Sequence, residues 1–131
     1  MALHLKIVTP ERVVVDAEVT ELVAPGIVGE FGVLPEHVTF LGGLDVGVLR
    51  YIEAGTSKSV VVSSGYAEVA EDVVTILADD ATPAEELDAT ASRAGVTTAE
   101  QAVQSGGDTP EEVDALLAEL KRAEARVQAL S

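Results

Sequence analysis

The chain has no cysteine and no tryptophan, and aromatic residues make up only 3% of it. Without cysteine there is no disulfide framework and no thiolate metal site, which suits a reducing compartment. With so few aromatics the core has to be built from Val, Leu, Ile and Ala. An apolar content of 47% over 131 residues is ample for one domain, or a domain with an appendage. Positive charge is scarce too, since 8 Lys and Arg stand against 23 Asp and Glu for a net charge of −15. Nucleic acid and anionic lipid repel such a chain, so only a local basic patch can meet an anionic partner. No apolar run approaches the ~20 residues that span a bilayer. The start, Met1-Ala2-Leu3-His4-Leu5-Lys6, turns polar too soon for a signal peptide. The expected protein is soluble and reaches a membrane only through a partner.

What is present falls into two grammars, residues 1–81 and 82–131. In the first, Leu3, Leu5 and Ile7 alternate with His4 and Lys6, which puts His4 on the solvent side. Further β-branched runs follow at Val13–Val15, Val19–Val23, Val46–Ile52, Ser59–Ser63, Tyr66–Ala70 and Val73–Leu77. Turns are expected at Pro10-Glu11, Glu53–Thr56, Ser63–Gly65 and Glu71-Asp72. Short strands separated by such turns predict an antiparallel β-sandwich. In the second grammar, Thr82-Pro83-Ala84-Glu85 and Thr109-Pro110-Glu111-Glu112 both spell a helix start: a capping threonine, proline at the first helical position, and a glutamate three residues on. Gly106-Gly107-Asp108 between them predicts the turn of a two-helix hairpin. The second helix carries an apolar stripe of Val113, Leu116, Leu117, Leu120, Val127 and Leu130, with acids early and bases late to suit the helix dipole. The first is lined mostly by alanine, and Gly95-Val96-Thr97-Thr98 predicts a kink or break at Gly95.

The chain offers no catalytic constellation. Neither histidine has a metal-ligand spacing, Ser63-Ser64-Gly65 lacks the strand-to-helix setting of a nucleophile, and the glycines at 26, 29 and 32 do not form a phosphate cradle. No enzymatic role, metal or cofactor is expected. Attention falls instead on Gly29–Leu44, where four glycines, Pro35, His37 and two carboxylates interrupt the strands. Pro35 excludes a central strand position, so a short, stiff loop presenting Glu30 and His37 is expected. Read from residues alone, Glu30 is a solvated turn residue and His37 satisfies a nearby backbone group.

The run Gly29-Glu30-Phe31-Gly32-Val33-Leu34-Pro35-Glu36-His37 resembles the Gly-Glu-x-Gly-x-Leu-Pro-x-His signature of the epsilon subunit of F-type ATP synthases, called delta in mitochondria. It departs from that family at Glu36, where glycine is common, and at Thr39, where proline is. Leu3–Pro10, Gly43–Arg50, Val62–Val69, Val73–Asp79 and Leu116–Arg126 resemble further family segments in the right order. The resemblance implies a β-sandwich with a helical hairpin at the foot of a rotor. There the sandwich would bind the gamma subunit and rest on the polar loops of the c-ring, delivering proton- or sodium-driven rotation to the catalytic head. It places Glu30, Phe31, Gly32, Leu34, Pro35 and His37 in the gamma and c-ring contact, on the cytoplasmic face of a bacterial inner membrane.

In bacterial members the hairpin can extend and inhibit ATP hydrolysis. Lys121, Arg122 and Arg126 then suit acidic segments of the catalytic beta and alpha subunits, or else simply complement the helix dipole. Some members bind ATP through Ile/Leu-Asp-x-x-Arg-Ala. Here Leu87-Asp88 is followed by Arg93-Ala94 two residues late, which rotates Arg93 by roughly 200° on the helix. Nucleotide binding by Asp88, Arg93, Arg122 and Arg126 is therefore doubted. The competing reading is a free-standing sandwich binding module with a helical dimerisation element. It predicts a homodimer, where the rotor reading predicts an isolated monomer.

Overall fold

The alternation at the start of the chain becomes pairing at once. The computed structural model describes residues 2–130, so Met1 and Ser131, the outer ends of the two expected ranges, lie outside it. Strand β1 (Leu3–Val8) buries Leu3, Leu5 and Ile7 completely and turns His4 outward, where Nε2 meets Asp16 Oδ1 at 2.5 Å on β2 (Val13–Val19). The chain continues through β3 (Glu21–Gly26), β4 (Gly29–Val33), β5 (Phe40–Leu44), β6 (Gly47–Glu53), β7 (Thr56–Ala70) and β8 (Val73–Pro83). All pairings are antiparallel except β1 with β8, which is parallel. The eight strands make a mostly antiparallel β-sandwich, as the patterning led one to expect.

Two long strands join the layers. β7 pairs with β6 through Thr56–Val62 and with β5 through Gly65–Val69, while β8 follows its other edge from Val60 to Ala70. The inward positions change phase along the way, from Val60 and Val62 to Ala67 and Val69. There is thus no turn at Ser63–Gly65. The glycine that signals one in the sequence serves the close approach of two backbones instead. The expected turns at Glu53–Thr56 and Glu71-Asp72 are present, with Ala54, Gly55, Glu71 and Asp72 all at positive φ, the backbone that tight hairpins require.

The helices require two corrections. Thr82 and Pro83 do not start a helix. They finish β8, opposite Val61 and Val60, and only a single 3-10 turn follows at Ala84–Glu86. The sheet wins because Pro83 sits at a strand end and holds Thr82 extended. Helix α1 (Ala89–Ser105) starts later, with Asp88 as its cap accepting from Ala91 N at 2.7 Å. Nor does α1 break at Gly95, where a Cβ would meet nothing within 4 Å. The cost of one glycine, ~1 kcal/mol, is outweighed by packing along α2 (Pro110–Ala129). That helix begins as its sequence spells, with Thr109 Oγ1 accepting from Glu112 N at 3.2 Å and Glu112 reaching back to Asp108 N at 2.6 Å. Its leucine stripe is only half covered, and the residues it buries fully are alanines: Ala123, Ala125 and Ala129. Ala125 and Ala129 lie against Val48 and Val61 on the outside of β6 and β7.

Candidate docking surface

Gly29–Leu44 is more ordered than a loop. Residues Gly29–Val33 form β4, Phe40–Leu44 form β5, and the connection turns at Pro35-Glu36 with His37 N donating to Leu34 O at 3.1 Å. Glu30 is exposed on β4 opposite Pro25, with Gly32 exposed opposite Val23. Phe31 is half-buried and packs on Phe40 with ring centroids 5.0 Å apart, while His37 meets Phe40 edge-on at 6.4 Å. His37 Nδ1 lies 2.7 Å from its neighbour's carbonyl oxygen, Val38 O. Leu34 is 58% exposed. The strand and turn therefore carry Glu30 and His37 on separate elements, and no hydrogen bond joins them. His37 does satisfy a backbone group, while Glu30 faces solvent.

Glu36 has φ 67 and donates its N–H to Asp72 Oδ1 at 2.6 Å, which ties the turn to the β7–β8 hairpin. This left-handed backbone favours glycine, which accounts for the residue that the resemblance leads one to expect there. Glu36→Gly keeps the N–H bond and relieves the strain. We expect it to stabilise the protein by up to about 1 kcal/mol, read as a raised thermal midpoint. A lowered midpoint would show that the glutamate side chain matters more than the backbone.

A second surface lies next to this one and was missed in the sequence. Leu41 on β5, Tyr66 on β7 and Leu77 on β8 are 71%, 64% and 53% exposed. Register sets them side by side, with Tyr66 opposite both Gly43 and Leu77, and Leu41 opposite Glu68. They flank a hollow of about 130 Å³ with Glu68 and Thr75, and Tyr66 and Leu77 border another of about 360 Å³ with Val8, Pro10 and Asp79. At the β3–β4 turn Ile27 and Val28 are also exposed, and Ile27 covers Gly43 so closely that a Cβ there would clash. One signal was available: Tyr66 and Leu77 occupy outward positions between the buried residues Ala67, Ile76 and Ala78. Single exposed apolar residues are ordinary, but adjacent ones on one sheet face mark a docking surface.

The C-terminal bases are all engaged within the chain. Lys121 Nζ lies 2.5 Å from Asp45 Oδ2, in the β5–β6 connection, and Arg122 and Arg126 share Glu119 at 2.9 and 3.5 Å. The Lys121 hydrogen bond holds the Asp45 carboxyl below the usual carboxylate range, so that carboxyl is ionised at neutral pH. Two further ties join the hairpin region to the sandwich: Arg12 binds Glu86 through both guanidinium nitrogens at 3.1 and 2.8 Å, and Arg50 donates to Gln128 O at 3.2 Å. Asp88 serves as the α1 cap and Arg93 is exposed on α1. Among the described residues no hydrogen bond or ion pair joins either of them to Arg122 or Arg126. Among the same residues, no helix is long and apolar enough to cross a membrane.

Residues 2–84, which span β1 to β8, match the family model described as ATP synthase, Delta/Epsilon chain, beta-sandwich domain. The chain belongs to that family. It is 43% identical over 129 residues to the ATP synthase epsilon chain of Nitratidesulfovibrio vulgaris strain DP4, covering 97% of this chain and 94% of that protein. It is 34% identical over 131 residues to the chloroplastic ATP synthase epsilon chain of Emiliania huxleyi, with 100% of both covered. These likenesses run through the helices as well as the sandwich. In fold the chain is similar to one in the cryo-EM structure of the Euglena gracilis mitochondrial ATP synthase, OSCP/F1/c-ring, at a TM-score of 0.85 and 24% identity. That match covers 99% of this chain and 82% of the other.

Proposed function

We propose that this member of the epsilon family couples ion-driven c-ring rotation to the catalytic head as a central-stalk subunit, without catalysing a reaction itself. The observation that carries the reading is the adjacent exposure of Leu41, Tyr66 and Leu77 on one sheet face. That face is the docking surface for the gamma subunit. The Glu30–His37 segment beside it, together with the apolar tip at Ile27-Val28, rests on the polar loops of the c-ring. The site is then the cytoplasmic face of a bacterial inner membrane, where the chain is held by its partners. The C-terminal hairpin regulates: extended from the sandwich, it presents Lys121, Arg122 and Arg126 to the catalytic beta and alpha subunits and restrains ATP hydrolysis. ATP is not a ligand on this reading, because Asp88 is used as a helix cap and the arginines are paired with Glu119.

Native mass spectrometry of the chain with and without the gamma subunit tests the reading. The expected result is a monomer alone and a one-to-one complex with gamma. A homodimer that ignores gamma would instead support a free-standing binding module.

A further inference from the structure

The hold of α2 on the sandwich is thin. Its apolar part consists of two alanines, Ala125 and Ala129, against Val48 and Val61, with Val46, Ala84 and Leu87 half-buried around them. Alanine has a single methyl to contribute, so little apolar area is removed from water here. Polar ties must then weigh more in the balance between docked and undocked hairpin. Between α2 and the sandwich there is one ion pair among the described residues, Lys121 with Asp45. Asp45 is well placed for the purpose: its N–H donates to Pro25 O at 2.9 Å and its Oδ1 accepts from Val46 N at 2.8 Å, which leaves Oδ2 aimed at the lysine.

We propose that Asp45 and Lys121 form a latch that keeps the hairpin docked on the sandwich and occupies Lys121 while it is there. Docking and engagement of Lys121 by an acidic partner surface then compete, because both draw on the same ammonium group. Asp45 stands in, within the chain, for the partner's carboxylate. The latch itself is independent of the function proposed above, and only its consequence for an acidic partner rests on that reading.

The absence of cysteine supplies a clean reporter. Ala125→Cys places one thiol under the docked helix, and its rate of labelling by a small thiol reagent reads how often the hairpin opens. Asp45→Asn keeps an oxygen for the Val46 N–H, and Lys121→Gln changes only an exposed helix position. Each is expected to speed labelling roughly two- to fivefold, the scale of a half-exposed ion pair. Lys121→Arg, which keeps a cation opposite Asp45 and leaves the Val46 N–H bond untouched, should hold the rate near that of the parent. Ala129→Cys gives the same reading from a second position, in case a thiol at 125 itself disturbs docking. Rates unchanged in both single variants would overturn the latch. So would an effect of Asp45→Asn alone, or a Lys121→Arg rate as fast as that of Lys121→Gln. Because the isolated chain is measured, a failed latch is distinguishable from a failure to bind gamma.

Discussion

Gly65→Ala is expected to destabilise the protein by about 3 kcal/mol, lowering its thermal midpoint by roughly 10 °C. Gly65 faces Ala78 across the β7–β8 ladder, where the two strands turn together from one layer of the sandwich to the other. A Cβ at this position would run into the Leu77 carbonyl oxygen and come within 2.9 Å of Ala78 Cα. Those are backbone atoms, tied through β8 to both β1 and β7, so nothing can move aside cheaply. Gly32→Ala is the control. Its Cβ would have only Leu22 O at 3.9 Å, and a change within about 0.5 kcal/mol is expected. Thermal unfolding of both variants checks the pair, and equal midpoints would contradict the close-approach account.

The second large effect concerns binding. Tyr66→Asp combined with Leu77→Asp is expected to leave the fold intact, because both side chains are more than half exposed and neither belongs to the buried core. At an interface the same changes remove two apolar anchors and bury carboxylates in their place. Loss of a central anchor costs about 2 kcal/mol or more, and an unpaired buried charge adds to that. Affinity for gamma should therefore fall more than a hundredfold, while circular dichroism stays near that of the parent and the thermal midpoint drops by only a few degrees, the cost of two carboxylates facing one another across the β7–β8 ladder. Titration calorimetry against gamma reads this directly.

Much of the sandwich was legible because its signals are local. Leu3, Leu5 and Ile7 declare their inward face by alternation, and the turns at Glu53–Thr56 and Glu71-Asp72 by their spacing. The errors arose where a local signal had a distant competitor. Thr82-Pro83-Ala84-Glu85 spells a helix cap, yet Thr82 and Pro83 pair with Val61 and Val60. Ser63-Ser64-Gly65 spells a turn, yet the glycine admits the backbone at Leu77 and Ala78. Gly95 looks like a break, yet α1 packs along α2 without one. The docking face divides in the same way. The Gly29–His37 run announced itself by composition, whereas Leu41, Tyr66 and Leu77 become neighbours only through strand register. Asp45 and Lys121, 76 positions apart, left no local pattern at all.

The measurement closest to the central claim is a competition. Equal amounts of the parent chain and the Tyr66→Asp, Leu77→Asp variant, distinguishable by mass, are mixed with less gamma than either and examined by native mass spectrometry. The account predicts that gamma is found almost wholly with the parent chain. Equal occupancy of gamma by the two chains would show that this face of the sandwich is not where the stalk is joined.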